Sequence, residues 1–111
     1  MKDKVIVLGS DGLGQGDAKL GGLLQANFLR LLGEAEAKPK AIVLLNHGVK
    51  QVIADSLVFD HLKRLEQQGV EILSCHTCLE YLGLVEQVSV GKITGMAQII
   101  ELLSHHEAIT L

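Results

Sequence analysis

The two cysteines of the chain, Cys75 and Cys78, stand two residues apart in "SCHTC", directly after the apolar run "VEIL". A strand that runs into Cys-His-Thr-Cys and then a helix brings one or both sulfurs to a helix N-terminus. There the unpaired backbone amides and the positive end of the helix dipole favour thiolate over thiol. Settings of this kind lower a cysteine pKa from ~8.5 into the range of roughly 3.5–7.5. A thiolate so placed can attack a disulfide or accept a sulfane sulfur. Residues at i and i+3 share one side of a helical turn, so a persulfide or mixed disulfide on one sulfur is within reach of the other. The spacing predicts Cys75, nearest the free amides, as the more exposed and more nucleophilic thiol, with Cys78 as its shielded resolver. The opposite assignment follows if the helix starts later, with Thr77 as its N-cap.

Other chemistries share these residues. Zinc needs about four ligands, and Cys75, Cys78 and one of His47 or His76 make three, with no second Cys-x-x-Cys. A thioredoxin-type oxidoreductase relies on a proline facing the pair, whereas the one proline here, Pro39, precedes the second apolar run. Plain buried cysteines, small and apolar, are the remaining reading.

Two further segments collect unusual residues. "GSDGLGQGD" (9–17), with Asp11 and Gly12, leads into a helix and reads as a conformationally demanding turn or an anion- or partner-binding loop. Its spacing matches neither the dinucleotide fingerprint nor the nucleotide P-loop. "NHGVK" (46–50) brings Asn46, His47 and Lys50 after a second apolar run, where His47 is a solvated loop residue or a base that promotes thiolate formation.

The elements that position these segments are legible in the hydrophobic pattern. "VIVLG" (5–9), "AIVLLN" (41–46) and "VEILSC" (70–75) are nearly continuous aliphatic runs, as strands buried on both faces of a parallel sheet read. "VSV" (88–90) and "AITL" (108–111) read as two further strands. Leu20, Leu23, Leu24, Phe28, Leu31 and Leu32 recur at steps of three and four, predicting one inward stripe of a helix over 18–33 that Gly33 stops. A second helix is capped at Asp55-Ser56 and turns Val58, Leu62 and Leu65 inward. A short helix follows Cys75 and ends at Gly83. Thr94 caps a fourth, bearing Met96, Ile99, Ile100 and Leu103.

Alternating strands and helices predict an α/β fold, a three-layer α/β/α sandwich around a mainly parallel five-stranded sheet, as a single domain over 1–111. Chemistry in such sheets sits beyond the carboxyl ends of the strands. That places Gly9–Asp17, Asn46–Lys50 and Cys75–Cys78 on one edge, as one shallow site.

Composition excludes other classes. At 111 residues, 48% hydrophobic and 21% charged, the chain is too apolar for disorder. A net charge of −3 gives no electrostatic case for nucleic acid. No apolar run approaches the ~18 residues of a membrane span. With no signal-peptide core, the reading is cytoplasmic, where a Cys pair is more often catalytic or metal-binding than structural. So apolar a chain with only three aromatic residues is expected to hide aliphatic surface between subunits.

Taken in order, "SDGLGQGDAKLGGLL", "NHGVK", "GVEILSCHTCLEYLGL", "VGKITGMAQIIELL" and the terminal "AITL" resemble the DsrE/DsrF-like family of small sulfur-relay proteins. They resemble most the DsrE-like domain of YedF-type proteins, associated with sulfur transfer and selenium metabolism. The resemblance covers nearly the whole chain. It implies a reactive cysteine at the start of the helix after the third strand, within the segment holding Cys75 and Cys78. It also implies persulfide transfer without a metal or organic cofactor, protein donors and acceptors such as a TusA/SirA-like carrier, and a homo-oligomer, a trimer more than a dimer. His47 stands where a small residue is expected, and no Cys-Pro motif of the companion SirA/TusA-like domain is present. The leading expectation is thus a sulfur carrier or sulfurtransferase-like protein acting through Cys75 and Cys78, with Gly12, Asp11, Asn46, His47 and Thr77 as neighbours. The alternatives are a non-catalytic binding or assembly module of the same fold and a thiol redox protein.

Overall fold

A computed structural model describes residues 1–111. Five strands, β1 (Lys4–Leu8), β2 (Ala41–Leu44), β3 (Glu71–Cys75), β4 (Lys92–Thr94) and β5 (Glu107–Thr110), form one sheet in the order β4-β3-β2-β1-β5. Every pairing is parallel. The central strands are the aliphatic runs, and β2 is buried along its whole length. This is why their residues do not alternate with polar ones: both faces are covered.

Helices α1 (Ala18–Glu34), α2 (Phe59–Gln67), α3 (His76–Tyr81) and α4 (Met96–His105) connect the strands. The steps from β1 to β2, β3 and β4 all run in one direction across the sheet, so right-handed crossovers put α1, α2 and α3 on one face. The return from β4 to β5 spans the sheet and assigns α4 to the other face, where Ile99 is buried. No helix is long and apolar enough to cross a membrane.

Four local expectations are corrected. Strand β4 is Lys92–Thr94, not 88–90: Val88 instead bridges Ile53 antiparallel, outside the sheet. Gly91, at φ 76° and with its Cα against the Ile72 carbonyl, turns the chain onto the sheet edge where no side chain would fit. Helix α2 starts at Phe59 without a side-chain cap, because the Ser56 hydroxyl is committed to the Gln51 carbonyl at 2.7 Å. Thr94 closes β4, and Gly95 rather than Thr94 precedes α4. Gly33 does not stop α1; it remains helical and buried, and the aliphatic part of Arg64 packs 3.4 Å from where a Cβ would stand.

The largest correction concerns which side of α1 faces the sheet. The inward residues are Gly21, Gln25, Leu29, Leu32 and Gly33. Leu20, Leu23, Leu24 and Leu31 are exposed, forming an outward apolar stripe. The glycine-rich loop explains the rotation. The Leu13 amide donates to the Gly21 carbonyl at 2.9 Å, and Gly12 lies flat against the Gly21–Gly22 backbone. That close approach is possible only on the side of the helix without side chains. Asp17 caps the helix through the Leu20 amide at 2.9 Å.

After β2 the chain leaves the sheet as a 3-10 helix, Asn46–Val52, that passes directly over the end of β1. A Cβ on Gly48 would stand 2.4 Å from the Leu8 carbonyl oxygen. Gly48→Ala should therefore lower unfolding stability by about 2 kcal/mol or more in urea titrations. Gly22→Ala, with open space around it inside α1, should raise it by roughly 0.5–1 kcal/mol. Equal effects at the two positions would contradict this packing.

Candidate functional site at the carboxyl edge of the sheet

Strand β3 delivers Cys75 to the carboxyl edge, where it is both the last strand residue and the N-cap of α3. Its side chain turns into the core and is only 1% exposed. Cys78 lies one turn further on and is partly exposed; both thiols are free. The expected order of exposure is therefore reversed. The physical reason is the strand register: Cys75 still pairs with Thr94 of β4 and belongs to the covered sheet, whereas Cys78 belongs to a helix turn at the rim. The helix begins at His76, so Thr77 is not its N-cap.

The Cys78 sulfur accepts a hydrogen bond from the Asn46 backbone amide at 3.1 Å. The two meet because β2 and β3 end side by side and the 3-10 helix packs against α3. Around the sulfur, Asn46, His47, Thr77, Cys78, Tyr81 and Leu82 line a depression of about 240 Å³. Tyr81 is 89% exposed and stands three residues beyond Cys78 on α3. It and Leu82 were not singled out from the sequence, although their i+3 and i+4 spacing from Cys78 is a usable signal.

The electrostatics also depart from expectation. The Cys78 thiol is pushed up from its ordinary value, mainly by burial. The Asn46 amide opposes this by stabilising the thiolate, while Cys75, within hydrogen-bonding reach, adds to the upward push. A six-residue helix supplies too little dipole to reverse the balance.

The remaining candidates lie on the same edge but do not all join this depression. Asp11 and Lys50 line a second hollow of about 280 Å³ with Gly22, Gln51, Asp55 and Ser56. Gly12 is packed against α1. The expected single shallow site is thus two, separated by the 3-10 helix. Its buried Gln51 bonds Gln25 of α1 and donates to the Gly48 carbonyl at 3.0 Å, an arrangement with no sequence signal. The loop itself is a demanding turn: Gly14 and Gly16 have φ 78° and 118°, and the Leu13 amide is already bonded. No three His, Cys, Asp or Glu side chains converge as a metal site.

Iodoacetamide should therefore label Cys78 and spare Cys75 in the folded protein, with both labelled in urea, as peptide mass mapping would read. Cys75→Ala removes one contribution that raises the Cys78 pKa, so it should speed Cys78 labelling at neutral pH. Because the fold favours the Cys78 thiol over the thiolate, this group's contribution to stability is complete at neutral pH and is lost as alkali ionises it. Cys78→Ser should flatten that alkaline loss.

The comparisons with known proteins fit this architecture. The structure resembles the ychN protein from E. coli, with a TM-score of 0.72 at 16% identity over 100% of both chains. It is equally similar to MTH1491 from Methanobacterium thermoautotrophicum, a protein of unknown function, with a TM-score of 0.72 at 20% identity and full coverage of both. BT1422 from Bacteroides thetaiotaomicron, a conserved protein of unknown function, aligns with a TM-score of 0.70 at 18% identity, over 98% of this chain and 95% of its own. At these identities the likeness is one of fold. No curated protein matches the sequence. The profile of the DsrE/DsrF-like family matches residues 24–111, a span that includes Asn46, both cysteines and all of β2 to β5. The chain belongs to the DsrE/DsrF-like family.

Proposed function

We propose that the protein is a sulfur carrier in which Cys78 takes up a sulfane sulfur as a persulfide and passes it to an acceptor thiol. The observation that carries this reading is the Cys78 sulfur, the accessible thiol of the pair, facing a small depression and bonded to a backbone amide. In uptake, the Cys78 thiolate attacks the terminal sulfur of a donor persulfide R–S–SH. The new S–S bond forms on Cys78, and the donor sulfur leaves as R–S⁻ with the electron pair of the broken bond. Delivery is the same exchange in reverse, with an acceptor thiolate as nucleophile. Donor and acceptor species are anionic at sulfur, and no carboxylate lines the depression to repel them. Cys75, buried alongside, acts as resolver: its thiolate attacks Cys78–S–SH at Sγ, forming the Cys75–Cys78 disulfide and releasing HS⁻.

The reading also includes self-association. Helix α1 is apolar on its buried face and again on its outer stripe of Leu20, Leu23, Leu24 and Leu31. A helix apolar on both sides is one with partners on both sides. An uncharged leucine stripe suits an aliphatic surface of a second copy of the chain.

Intact-mass analysis after incubation with a cysteine desulfurase and cysteine tests the carrier role. One added sulfur atom is expected on Cys75→Ser, an added sulfur or the Cys75–Cys78 disulfide that replaces it on wild-type protein, and neither on Cys78→Ser. Transfer to Cys75→Ser and Cys78→Ser alike, or to neither variant nor wild type, would overturn the assignment. Light scattering should give a mass at least twice the 11.9 kDa of one chain, and Leu23→Glu with Leu24→Glu should reduce it to the monomer.

A further inference from the structure

The Asn46 backbone takes a route that no other side-chain-bearing residue of the chain takes. It is the sole non-glycine residue with positive φ, at 51°. Asparagine tolerates this left-handed conformation better than most residues because its short polar side chain can bond the local backbone. Here the Asn46 Oδ1 accepts the His47 amide at 2.9 Å.

Both flanks of Asn46 are fixed. The Leu45 amide donates to the Leu8 carbonyl at 3.0 Å, and the Gly48 amide donates to the Leu45 carbonyl at 2.8 Å. With the chain pinned on either side, φ at Asn46 decides how the peptide plane between Leu45 and Asn46 is tilted. In the left-handed conformation, that plane aims its N–H at the Cys78 sulfur, 3.1 Å away. A residue that relaxed to negative φ would turn the amide away, because neither flank can follow.

We infer that Asn46 is a positioning residue for Cys78, its left-handed backbone holding a hydrogen-bond donor on the sulfur through every step in which that sulfur carries or receives negative charge. The inference rests on the reading of Cys78 as the reactive thiol. Before uptake, the amide stabilises the thiolate against the burial that disfavours it. In delivery, the acceptor thiolate attacks the terminal sulfur of Cys78–S–SH, the S–S bond breaks, and Cys78 Sγ leaves with the electron pair. The same N–H then bonds the departing thiolate. The other titratable side chains around the sulfur are Cys75 from β3, His47 from the 3-10 helix and Tyr81 from α3, and none supplies a fixed donor to it.

The test is the pH profile of Cys78 alkylation by iodoacetamide, read by mass spectrometry. His47→Gln serves as a control for imidazole titration, and native circular dichroism is required of each variant. Asn46→Gly enters the left-handed region without steric cost and should retain the wild-type profile. Asn46→Ala should move the profile towards alkaline pH and slow labelling at neutral pH by about tenfold, the loss expected for one hydrogen bond to a charged group. Wild-type behaviour of the alanine variant would overturn the inference, as would a glycine variant that slows as much as alanine. A second measurement needs no variant: the Asn46 amide proton should shift downfield in NMR spectra as Cys78 ionises, and a proton that does not move would overturn the inference. Neither readout involves sulfur transfer. A normal amide response without persulfide uptake would therefore disprove the carrier reading alone.

Discussion

The backbone path from Leu44 to Val52 is the constraint on which the rest of the carboxyl edge depends. Strand β2 ends in a fully buried position between β1 and β3, and the chain must leave the sheet without exposing the ends of its neighbours. It does so by laying a 3-10 helix over the Leu8 carbonyl, at a distance that only a glycine at position 48 permits. That crossing separates the two hollows of the edge and brings the Asn46 amide to the sulfur of Cys78 on α3. The Gln25–Gln51 bond then ties the crossing to α1.

At Cys78 two opposing effects are held close together. Burial and the neighbouring Cys75 favour the neutral thiol, and the backbone amides of Asn46, the larger contributor, and of Cys78 itself favour the thiolate. A strongly acidic cysteine would be mostly thiolate but a weaker nucleophile and a better leaving group, since nucleophilicity falls with pKa. The proposed carrier role requires both parts, receiving sulfur and then giving it up. A raised pKa with a fixed donor on the sulfur keeps nucleophilicity high and still supports the sulfur when it departs.

The surface carries the second imbalance. Outward leucines on α1, together with Met96 and Ile100 on α4, leave an aliphatic exterior that a small monomer rarely tolerates. Beside the glycine-rich loop the inward side of α1 is Gly21 and the buried Gln25, and only further along do Leu29 and Leu32 face inward. The leucines of its first half are therefore left over for the outside. Loop and helix face are two consequences of one close contact.

How much of this could be read from the chain follows from the range of the interactions involved. The three aliphatic runs, the alternation with helices and the turn residues are local signals, and they determined a parallel α/β sheet with its polar segments at one edge. The ordered motifs determined the family, and the Cys-x-x-Cys at a strand-to-helix junction determined where to look for chemistry. Periodicity could not tell which leucine stripe of α1 faces inward, because that depends on a loop folding back onto Gly21. The fourth strand lies at Lys92–Thr94 rather than at 88–90 because pairing to β3, not apolar content, defines an edge strand. The exposure of the two thiols was likewise beyond local reading. Cys75 is buried by its register with Thr94, and Cys78 is reached by an amide thirty-two residues earlier in the chain. Local sequence determined which atoms could react; only the meeting of β2's exit with α3 decided which sulfur stands at the rim with a backbone amide on it.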